Sequence, residues 1–288
     1  MKMNFKTKAL FFALFISFAP VLAQTDSITV LNTKWEKKKI AKGITLKRYC
    51  YNNTLFNSNQ NVTILEIKTK GKTKIDLGFE RTKLRKTSDY GKSADAIAAI
   101  NGTFFDIKNG GSVDFLKVND TVINQNRLLK DSTRARHQQA ALVIEDGKLT
   151  IEKWDGSNDW EKNLEAETVM LSGPLLLHRN TPELLDSSAF NKARNPRSAI
   201  AVIKKNKIAF ITVDGRNENA NGMSIFELAK VMRWLEYKDA VNLDGGGSTT
   251  LWVNNEPGNG VVNYPSDNKK WDQEGERKVA NVVMVLRK

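Results

Sequence analysis

The chain has 288 residues, a single cysteine (Cys50) and a formal net charge of +13, from 45 basic and 32 acidic residues. A lone cysteine excludes an internal disulfide, so burial of apolar surface has to supply the stability. The positive charge favours anionic partners such as phospholipid headgroups, phosphorylated glycans or nucleic acid, although an ordinary solvated surface explains it equally well. Because the basic residues are scattered along the chain, we expect no nucleic-acid partner.

The first 23 residues have the pattern of a secretory signal peptide. Lys2, Lys6 and Lys8 precede an apolar run at residues 9–19, and Ala23 offers the small residue that signal peptidase needs. The run is too short to span a bilayer as a mature helix. We therefore expect cleavage after residue 23, export to the periplasm, the cell envelope or the medium, and no stable membrane insertion. An uncleaved anchor is the alternative.

Hydrophobic periodicity divides the remainder into a strand-rich lead-in, residues 24–90, and a larger domain, residues 91–288. One element is a helix that starts after Ser224, with Glu227 completing a capping box. The predicted elements are, in chain order, strands at 44–46 and 62–67, a short helix at 88–95, a buried strand at 96–100, hairpins at 140–151 and 198–213, the helix at 225–235, strands at 241–243 and 249–253 joined tightly at 245–247, and a strand at 279–286. This order predicts an α+β fold: a single domain with a mixed or antiparallel sheet and few helices.

Four polar segments begin or end predicted strands, and residues at strand ends can converge at one rim of a sheet. The segments are Ala-Ile-Asn-Gly-Thr-Phe-Phe-Asp at 99–106, Asn-Pro-Arg-Ser-Ala at 195–199, Thr-Val-Asp-Gly-Arg at 212–216 and Asn-Leu-Asp-Gly-Gly-Gly-Ser-Thr-Thr at 242–250.

The last segment is the strongest candidate for an anion site. Successive glycines let backbone N–H groups approach an anion closely, and the hydroxyls that follow add donors. A carboxylate such as Asp244 beside such a site is costly unless it has a task or a partner. The alternative is a plain Asp-Gly turn with extra glycine. The candidate anion-binding residues of this turn are Gly245, Gly246, Gly247, Ser248 and Thr249.

The other three segments are less specific. Arg197 and Arg216 each present a planar fork of donors that suits phosphate, but a surface arginine in a turn explains Arg216 as well. Asn101 precedes two phenylalanines, and a loop pinned by core aromatics explains that pattern equally well.

In order and sequence, the segments resemble the phosphodiester glycosidase family. The family pattern has an Asn-Gly-Gly-Phe-Phe-like segment, then Pro-Arg-Thr/Ser-Ala, Asp-Gly-Arg, a helix, Asn-Leu-Asp-Gly-Gly-Gly-Ser-Thr, and a final Arg-x-Val-x-Asn. The last piece reads Arg-Lys-Val-Ala-Asn at residues 277–281 here, and the clear match extends over residues 96–286. Thr103 departs from the pattern, since glycine is expected there, and it is expected to narrow the pocket.

The resemblance implies an exported hydrolase that cleaves the glycosidic C–O bond of a sugar 1-phosphodiester and releases sugar and a phosphomonoester. Such a reaction has an oxocarbenium-like transition state, which a carboxylate can stabilise or attack, while cationic donors help the phosphate to leave. Asp244 and Asp214 are the candidate catalytic residues. Arg197, Arg216, Asn101 and the glycine turn are the candidate phosphate-binding residues.

Two other functions stay open: a non-catalytic binder of anionic glycans in the cell envelope, and a phosphodiesterase that cleaves P–O instead of C–O. The scarcity of histidine argues against a serine–histidine–acid triad and against zinc, because His137 is expected in an exposed loop and His178 at a strand end. No cofactor is expected to be required. Calcium is possible, since it takes the oxygen ligands that these segments could supply.

Overall fold

The computed structural model describes residues 19–129 and 133–288. Most of the predicted signal peptide lies outside these residues, so the signal peptide and its cleavage stay predictions. A helix, α1 (Ala19–Leu31), extends across the expected cleavage position, and its Val30 is buried in the core. Among the described residues, no helix combines the length and apolarity needed to cross a membrane.

Strands dominate the described part of the chain, and they are short. In chain order they are β1 (Glu36–Ala41), β2 (Ile44–Leu55), β3 (Ser58–Lys68), β4 (Thr73–Phe79), β5 (Arg85–Lys86), β6 (Ala98–Asn101), β7 (Leu116–Val118), β8 (Thr121–Asn124), β9 (Ala140–Glu145), β10 (Lys148–Lys153), β11 (Thr168–Ser172), β12 (Leu175–His178), β13 (Thr181–Pro182), β14 (Arg197–Lys204), β15 (Lys207–Val213), β16 (Asp239–Asn242), β17 (Leu251–Val253), β18 (Lys278–Val279) and β19 (Asn281–Arg287). The further helices are α2 (Thr87–Ser93), α3 (Ala189–Lys192) and α4 (Ile225–Trp234).

The largest sheet has eight strands in the order β1-β2-β3-β15-β14-β16-β12-β13. A five-stranded sheet, β10-β9-β11-β7-β8, and a four-stranded sheet, β17-β6-β19-β4, lie against it, and β18 pairs with β5. The pairings between these strands are antiparallel. The predicted α+β fold with few helices is confirmed, in its antiparallel form.

The core lies on both faces of the eight-stranded sheet. Successive side chains of a strand point to opposite faces, and in β14 Ile200 joins the apolar cluster shared by the three sheets, while Ala199 and Ala201 join the cluster beneath α4. The apolar stripe of α4, with Ile225, Leu228 and Met232, belongs to this second cluster and packs mainly over β12. The two strands predicted in the lead-in, β2 and β3, belong to the same sheet, through the β3–β15 pairing.

Most of the predicted elements are confirmed, including the strand at β6, the short helix at α2 and both hairpins. The β9–β10 hairpin turns at Asp146 and Gly147, which have φ of 51° and 70°, the left-handed values that an Asp-Gly turn provides. His178 ends β12, as expected.

Three local expectations are wrong. The strands β16 and β17 do not form a tight pair around the glycines, because they belong to different sheets. The strand expected at 279–286 is two strands that separate at Ala280. His137 lies in a short 3-10 turn, Arg136–Gln138, where packing against other side chains leaves it partly buried instead of exposed.

The capping box of α4 gives a direct test of helix stability. The Ser224 hydroxyl accepts from the Glu227 N–H at 3.1 Å, and the Glu227 carboxylate accepts from the Ser224 N–H at 2.8 Å. We expect Ser224→Ala to lower the free energy of unfolding by ~1 kcal/mol, measured by urea denaturation, because the N–H loses its acceptor. Ser224→Thr keeps a capping hydroxyl and is the control. Equal losses in the two variants would contradict the capping role.

Candidate functional site

Three of the four polar segments meet at one edge of the eight-stranded sheet. Arg197 at the start of β14 pairs with Val213 at the end of β15, so Asp214 follows at the same edge. Ala199 of β14 pairs with Asn242, the last residue of β16, so the glycine turn begins there as well. The expected convergence of strand ends is therefore found.

The Asn101 side chain brings in the fourth segment, from the four-stranded sheet. Its amide nitrogen donates to the Asp244 carbonyl at 2.7 Å. Its amide oxygen accepts from the Ser198 hydroxyl at 2.6 Å and from the Thr250 N–H at 3.1 Å. Asn101 is fully buried. Its amide therefore links three segments inside the protein, a link called the Asn101 bracket below, and is not placed to touch a ligand.

A second buried amide, that of Asn281, fixes the segment after Asn101. Its oxygen accepts from the Thr103 N–H at 2.7 Å, and its carbonyl accepts from the Gly102 N–H at 3.0 Å. A Cβ on Gly102 would lie 2.1 Å from the Asn281 side-chain oxygen, so only glycine fits. The Gly102 carbonyl in turn accepts from the Asp244 N–H at 3.0 Å. Thr103 is 1% exposed, which places its side chain in the interior.

Each glycine of the turn lies against a different close neighbour. A Cβ on Gly245 would lie 2.7 Å from the Pro196 carbonyl oxygen. At Gly246, whose φ is +60°, it would lie 3.0 Å from a guanidinium nitrogen of Arg216. At Gly247 it would lie 2.6 Å from a guanidinium nitrogen of Arg277. The triple glycine thus lets two cationic side chains lie against the backbone.

The N–H groups of this turn are largely engaged within the protein. Gly245 N donates to its neighbour's carboxylate, Asp244 Oδ1, at 2.9 Å, and Gly246 N donates to the Pro196 carbonyl at 2.9 Å. The N–H groups of Ser248 and Thr249 close the 3-10 turn. Four of the five backbone N–H groups of residues 245–249 are therefore engaged within the protein, and the neighbouring guanidinium groups add further capacity to bind an anion. Phosphate binding by the turn itself stays a prediction.

The hydroxyls expected to assist are enclosed. Ser248 and Thr249 are fully buried, and neither hydroxyl makes a hydrogen bond of ordinary geometry within residues 19–129 and 133–288. Their side chains face the interior beneath the turn, so a role in holding phosphate stays a prediction.

Asp244 is the partly exposed carboxylate of the site. Burial raises its pKa to about 6. The Ser248 hydroxyl and the Gly245 N–H oppose this rise in pKa, as do the charges of Arg277 and Arg216. The Ser248 hydroxyl lowers the pKa because it lies close to the carboxylate, although the two groups are not aligned as in a hydrogen bond. Asp244 is therefore a carboxyl group that titrates close to neutrality beside two cations.

Asp214 is 1% exposed and fully hydrogen-bonded. One oxygen accepts from the Asn61 amide at 2.7 Å, and the other accepts from the Asn263 amide at 2.8 Å and the Tyr264 N–H at 3.0 Å. Burial raises its pKa to about 7, against the lowering effect of these donors. Asn263 also donates to the Thr249 carbonyl at 3.1 Å, which ties Asp214 to the glycine turn.

The Arg197 guanidinium group donates hydrogen bonds to backbone carbonyls. Nε donates to the Met223 carbonyl at 2.9 Å, and Nη2 donates to the carbonyls of Phe190 and Ala193 at 2.9 and 2.7 Å. The group is 2% exposed, and burial lowers its pKa to about 10, with a smaller contribution from Arg216, so it stays charged at neutral pH. Arg197 thus supplies a fixed positive charge beside the turn, with Nε and Nη2 already occupied.

Arg216 and Arg277 are the accessible cations. Arg216 has a left-handed backbone, with φ of 63°, and its Nε and Nη2 share the Asn195 side-chain oxygen at 3.2 and 3.0 Å. Arg277 pairs with Asp267 through two bonds of 2.8 and 2.5 Å. Arg216 has a neutral partner and can bind an anion directly. Arg277 is paired with a carboxylate, so an anion would have to compete with Asp267 for it.

Sequence reasoning missed three contributors: Arg277, Asn61 and Asn263. Arg277 stood in the Arg-x-Val-x-Asn pattern, so the signal was present. The two asparagines carry no local signal, because their importance depends on contacts with Asp214 that are distant in sequence.

No group of three or more His, Cys, Asp or Glu side chains in the described ranges is arranged to hold a metal ion. Calcium binding therefore stays a prediction.

The chain matches known proteins over this same region. The family model for phosphodiester glycosidase matches residues 94–286. N-acetylglucosamine-1-phosphodiester alpha-N-acetylglucosaminidase of Homo sapiens is 27% identical over 194 residues, 61% of this chain and 35% of that protein. The enzyme of the same name from Bos taurus is 27% identical over 187 residues, 59% of this chain and 32% of that protein. The chain thus spans about a third of the length of these curated relatives.

Solved structures share the fold. The catalytic domain of zebrafish N-acetylglucosamine-1-phosphodiester alpha-N-acetylglucosaminidase superposes with a TM-score of 0.65 at 17% identity, covering 93% of each chain. A hypothetical protein from Synechocystis gives a TM-score of 0.63 at 16% identity, covering 89% of this chain and 64% of the other. Since the family model matches more than half of the residues and includes all four polar segments, the chain belongs to the phosphodiester glycosidase family.

Proposed function

We propose that the protein hydrolyses the glycosidic C–O bond of a sugar 1-phosphodiester, giving a free sugar and a phosphomonoester. The observation that carries the proposal is Asp244, a partly exposed carboxyl group with a raised pKa, beside the guanidinium groups of Arg216 and Arg277. Family membership supports the same chemistry. An N-acetylglucosamine 1-phosphodiester is the first substrate to test, because the relatives are named for it.

In this proposal, Arg216 and Arg277 bind the phosphate oxygens and stabilise the negative charge that grows as the C–O bond breaks. Asp244 faces the anomeric carbon, where its ionised carboxylate stabilises the oxocarbenium-like charge or attacks the carbon. Water supplies the new hydroxyl of the sugar. The buried Asp214 holds Asn263 and so the turn, a positioning role.

The arrangement argues for catalysis over simple binding of an anionic glycan. A carboxylate beside two guanidinium groups weakens their attraction for an anion, so it is a cost to a protein that only binds. In a glycosidase the same carboxylate is required, because the positive charge of the transition state forms next to the phosphate. Export through a signal peptide, to the periplasm, envelope or medium, remains part of the proposal.

The first prediction concerns Asp244. We expect Asp244→Asn to lower kcat by ~100-fold or more with little loss of thermal stability, because the side chain keeps its size but loses its charge. Asp214→Asn is the comparison and should be milder if Asp214 only positions the turn. The measurement is steady-state hydrolysis of a sugar 1-phosphodiester. Near-normal turnover by Asp244→Asn would transfer the catalytic role to Asp214.

The second prediction separates the three arginines. Arg216→Lys and Arg277→Lys keep the charge but lose the planar fork, so kcat/KM should fall by ~10-fold or more. Arg197→Lys should instead lower the free energy of unfolding by about 3 kcal/mol, because hydrogen bonds to three backbone carbonyls are disrupted. If kcat/KM fell only in Arg197→Lys, the substrate phosphate would not bind at Arg216 and Arg277.

The third prediction concerns pH. Asp244 has to be ionised, so kcat/KM should rise with pH through about 6, the pKa of the free enzyme's carboxyl group. A phosphodiester has no ionisation near neutrality, so this limb reports on the enzyme. Arg277→Gln removes a charge that lowers the pKa and should move the limb to higher pH. The limb should persist in Asp214→Asn; its disappearance there would assign it to Asp214.

The raised pKa values of Asp244 and Asp214 also determine whether the stability of the protein rises or falls with pH. Asp244 and Asp214 bind their protons more tightly when folded, so their contribution to stability is complete below pH ~4 and is lost as pH rises through about 6 and about 7. Activity and this part of the stability therefore change in opposite directions with pH.

A further inference from the structure

A partly exposed aromatic surface borders the proposed phosphate site on one side. Phe104 packs against the imidazole of His137, with ring centroids 4.9 Å apart, and against Phe190, with centroids 6.3 Å apart. Phe190 is 43% exposed and the His137 side chain is 34% exposed. We call Phe104, His137 and Phe190 the aromatic face. Exposed aromatic side chains beside convergent polar groups are typical of a ligand site.

Each member of the face is fixed to the framework of the site. Phe104 follows Gly102, whose carbonyl accepts from the Asp244 N–H. The Arg197 guanidinium lies over the Phe190 ring, 4.8 Å from its centroid. Arg197 also lies next to Gly245 of the turn: a Cβ on Gly245 would be 3.8 Å from Arg197 Cδ. The face therefore lies on the Asp244 and Gly245 side of the turn.

His137 is also held in place beside the segment that carries Asp244. A Cβ on Gly173 would lie 2.9 Å from the His137 Cα, and the Gly173 carbonyl accepts from the Asn242 amide at 3.0 Å. Asn242 lies two residues before Asp244 in the same segment.

His137 is oriented by a buried carboxylate. Its Nε2 lies 3.3 Å from Asp114 Oδ1, which accepts from the Gln138 amide at 2.9 Å, and Asp114 is fully buried. This contact turns Nε2 toward the interior, and Nδ1 is the ring nitrogen that does not face Asp114.

We propose that the aromatic face is the sugar subsite: the apolar C–H face of the hexose ring packs on Phe104 and Phe190, and His137 Nδ1 forms a hydrogen bond with a sugar hydroxyl. The inference rests on the proposed function, because it takes the phosphate to lie at Arg216 and Arg277. The anomeric carbon is one bond from a phosphate oxygen, so the sugar ring must lie directly beside the turn, on the side of Asp244.

A second aromatic pair, Tyr264 and Trp271, lies in the loop that carries Asp267. Its rings are parallel, with centroids 4.2 Å apart, so each covers one face of the other. We assign it no sugar contact, which makes it the matched control surface.

The test compares Phe190→Leu, His137→Ala and the control Trp271→Leu. Leucine keeps an apolar side chain next to Arg197 but removes the flat ring. We expect KM for a sugar 1-phosphodiester to rise about tenfold in the first two variants, with a smaller change in kcat. KM should be unchanged in Trp271→Leu. Inhibition by inorganic phosphate, which meets only the guanidinium groups, should be unchanged in all three, and His137→Asn, which keeps a hydrogen-bonding group near Nδ1, should partly restore KM.

Binding of an uncharged methyl N-acetylglucosaminide, followed by saturation-transfer NMR, gives a readout that needs no catalysis. The expected signal is present in the wild type and in Trp271→Leu, and lost in Phe190→Leu and His137→Ala. An active wild type whose KM responds only to Trp271→Leu, or to none of the variants, overturns the sugar subsite and leaves the proposed function intact. An inactive wild type that still shows this NMR pattern overturns the proposed function but supports the subsite. Absence of the NMR signal throughout, with an inactive wild type, overturns both.

Discussion

The site depends on one buried amide. Asn101 holds the glycine turn through Asp244 and Thr250, and holds β14 through Ser198, so a single side chain joins the edge of the eight-stranded sheet to the end of the four-stranded sheet. An amide has both donors and an acceptor, which lets it satisfy backbone groups of both kinds at one point. Because an unpaired polar group in the interior is costly, all of these partners have to be in place together.

The turn that Asn101 secures is crowded instead of open. Its glycines let Pro196, Arg216 and Arg277 come within contact distance of the backbone. Positive charge is thereby concentrated around one carboxyl group, Asp244. Burial alone would raise the pKa of Asp244 further, and these cations oppose that rise. The balance between burial and these cations sets a pKa close to neutrality, the range in which a carboxyl group serves both as an acid and as a base.

Patterns that act over a few residues were predicted well from the sequence. The Ser224 capping box and the Asp146-Gly147 hairpin depend on neighbours along the chain, and both are confirmed. Membership of a sheet was not predictable in this way: β16 and β17 flank the same turn yet belong to different sheets. The site residues were identified by type, but their tasks depend on distant partners. Arg197 looked like a phosphate ligand because nothing in the sequence reveals the carbonyls that occupy it.

The reach of the Asn101 bracket bears on how the protein is made. Its partners Ser198, Asp244 and Thr250 are 97, 143 and 149 positions further along the chain. Closing loops of this length costs entropy that only the assembled sheets repay, which is typical of slow folding. During synthesis, Asn101 leaves the ribosome long before its partners exist. The site therefore cannot assemble stepwise as the chain emerges, and it forms only after residue 250 has been made.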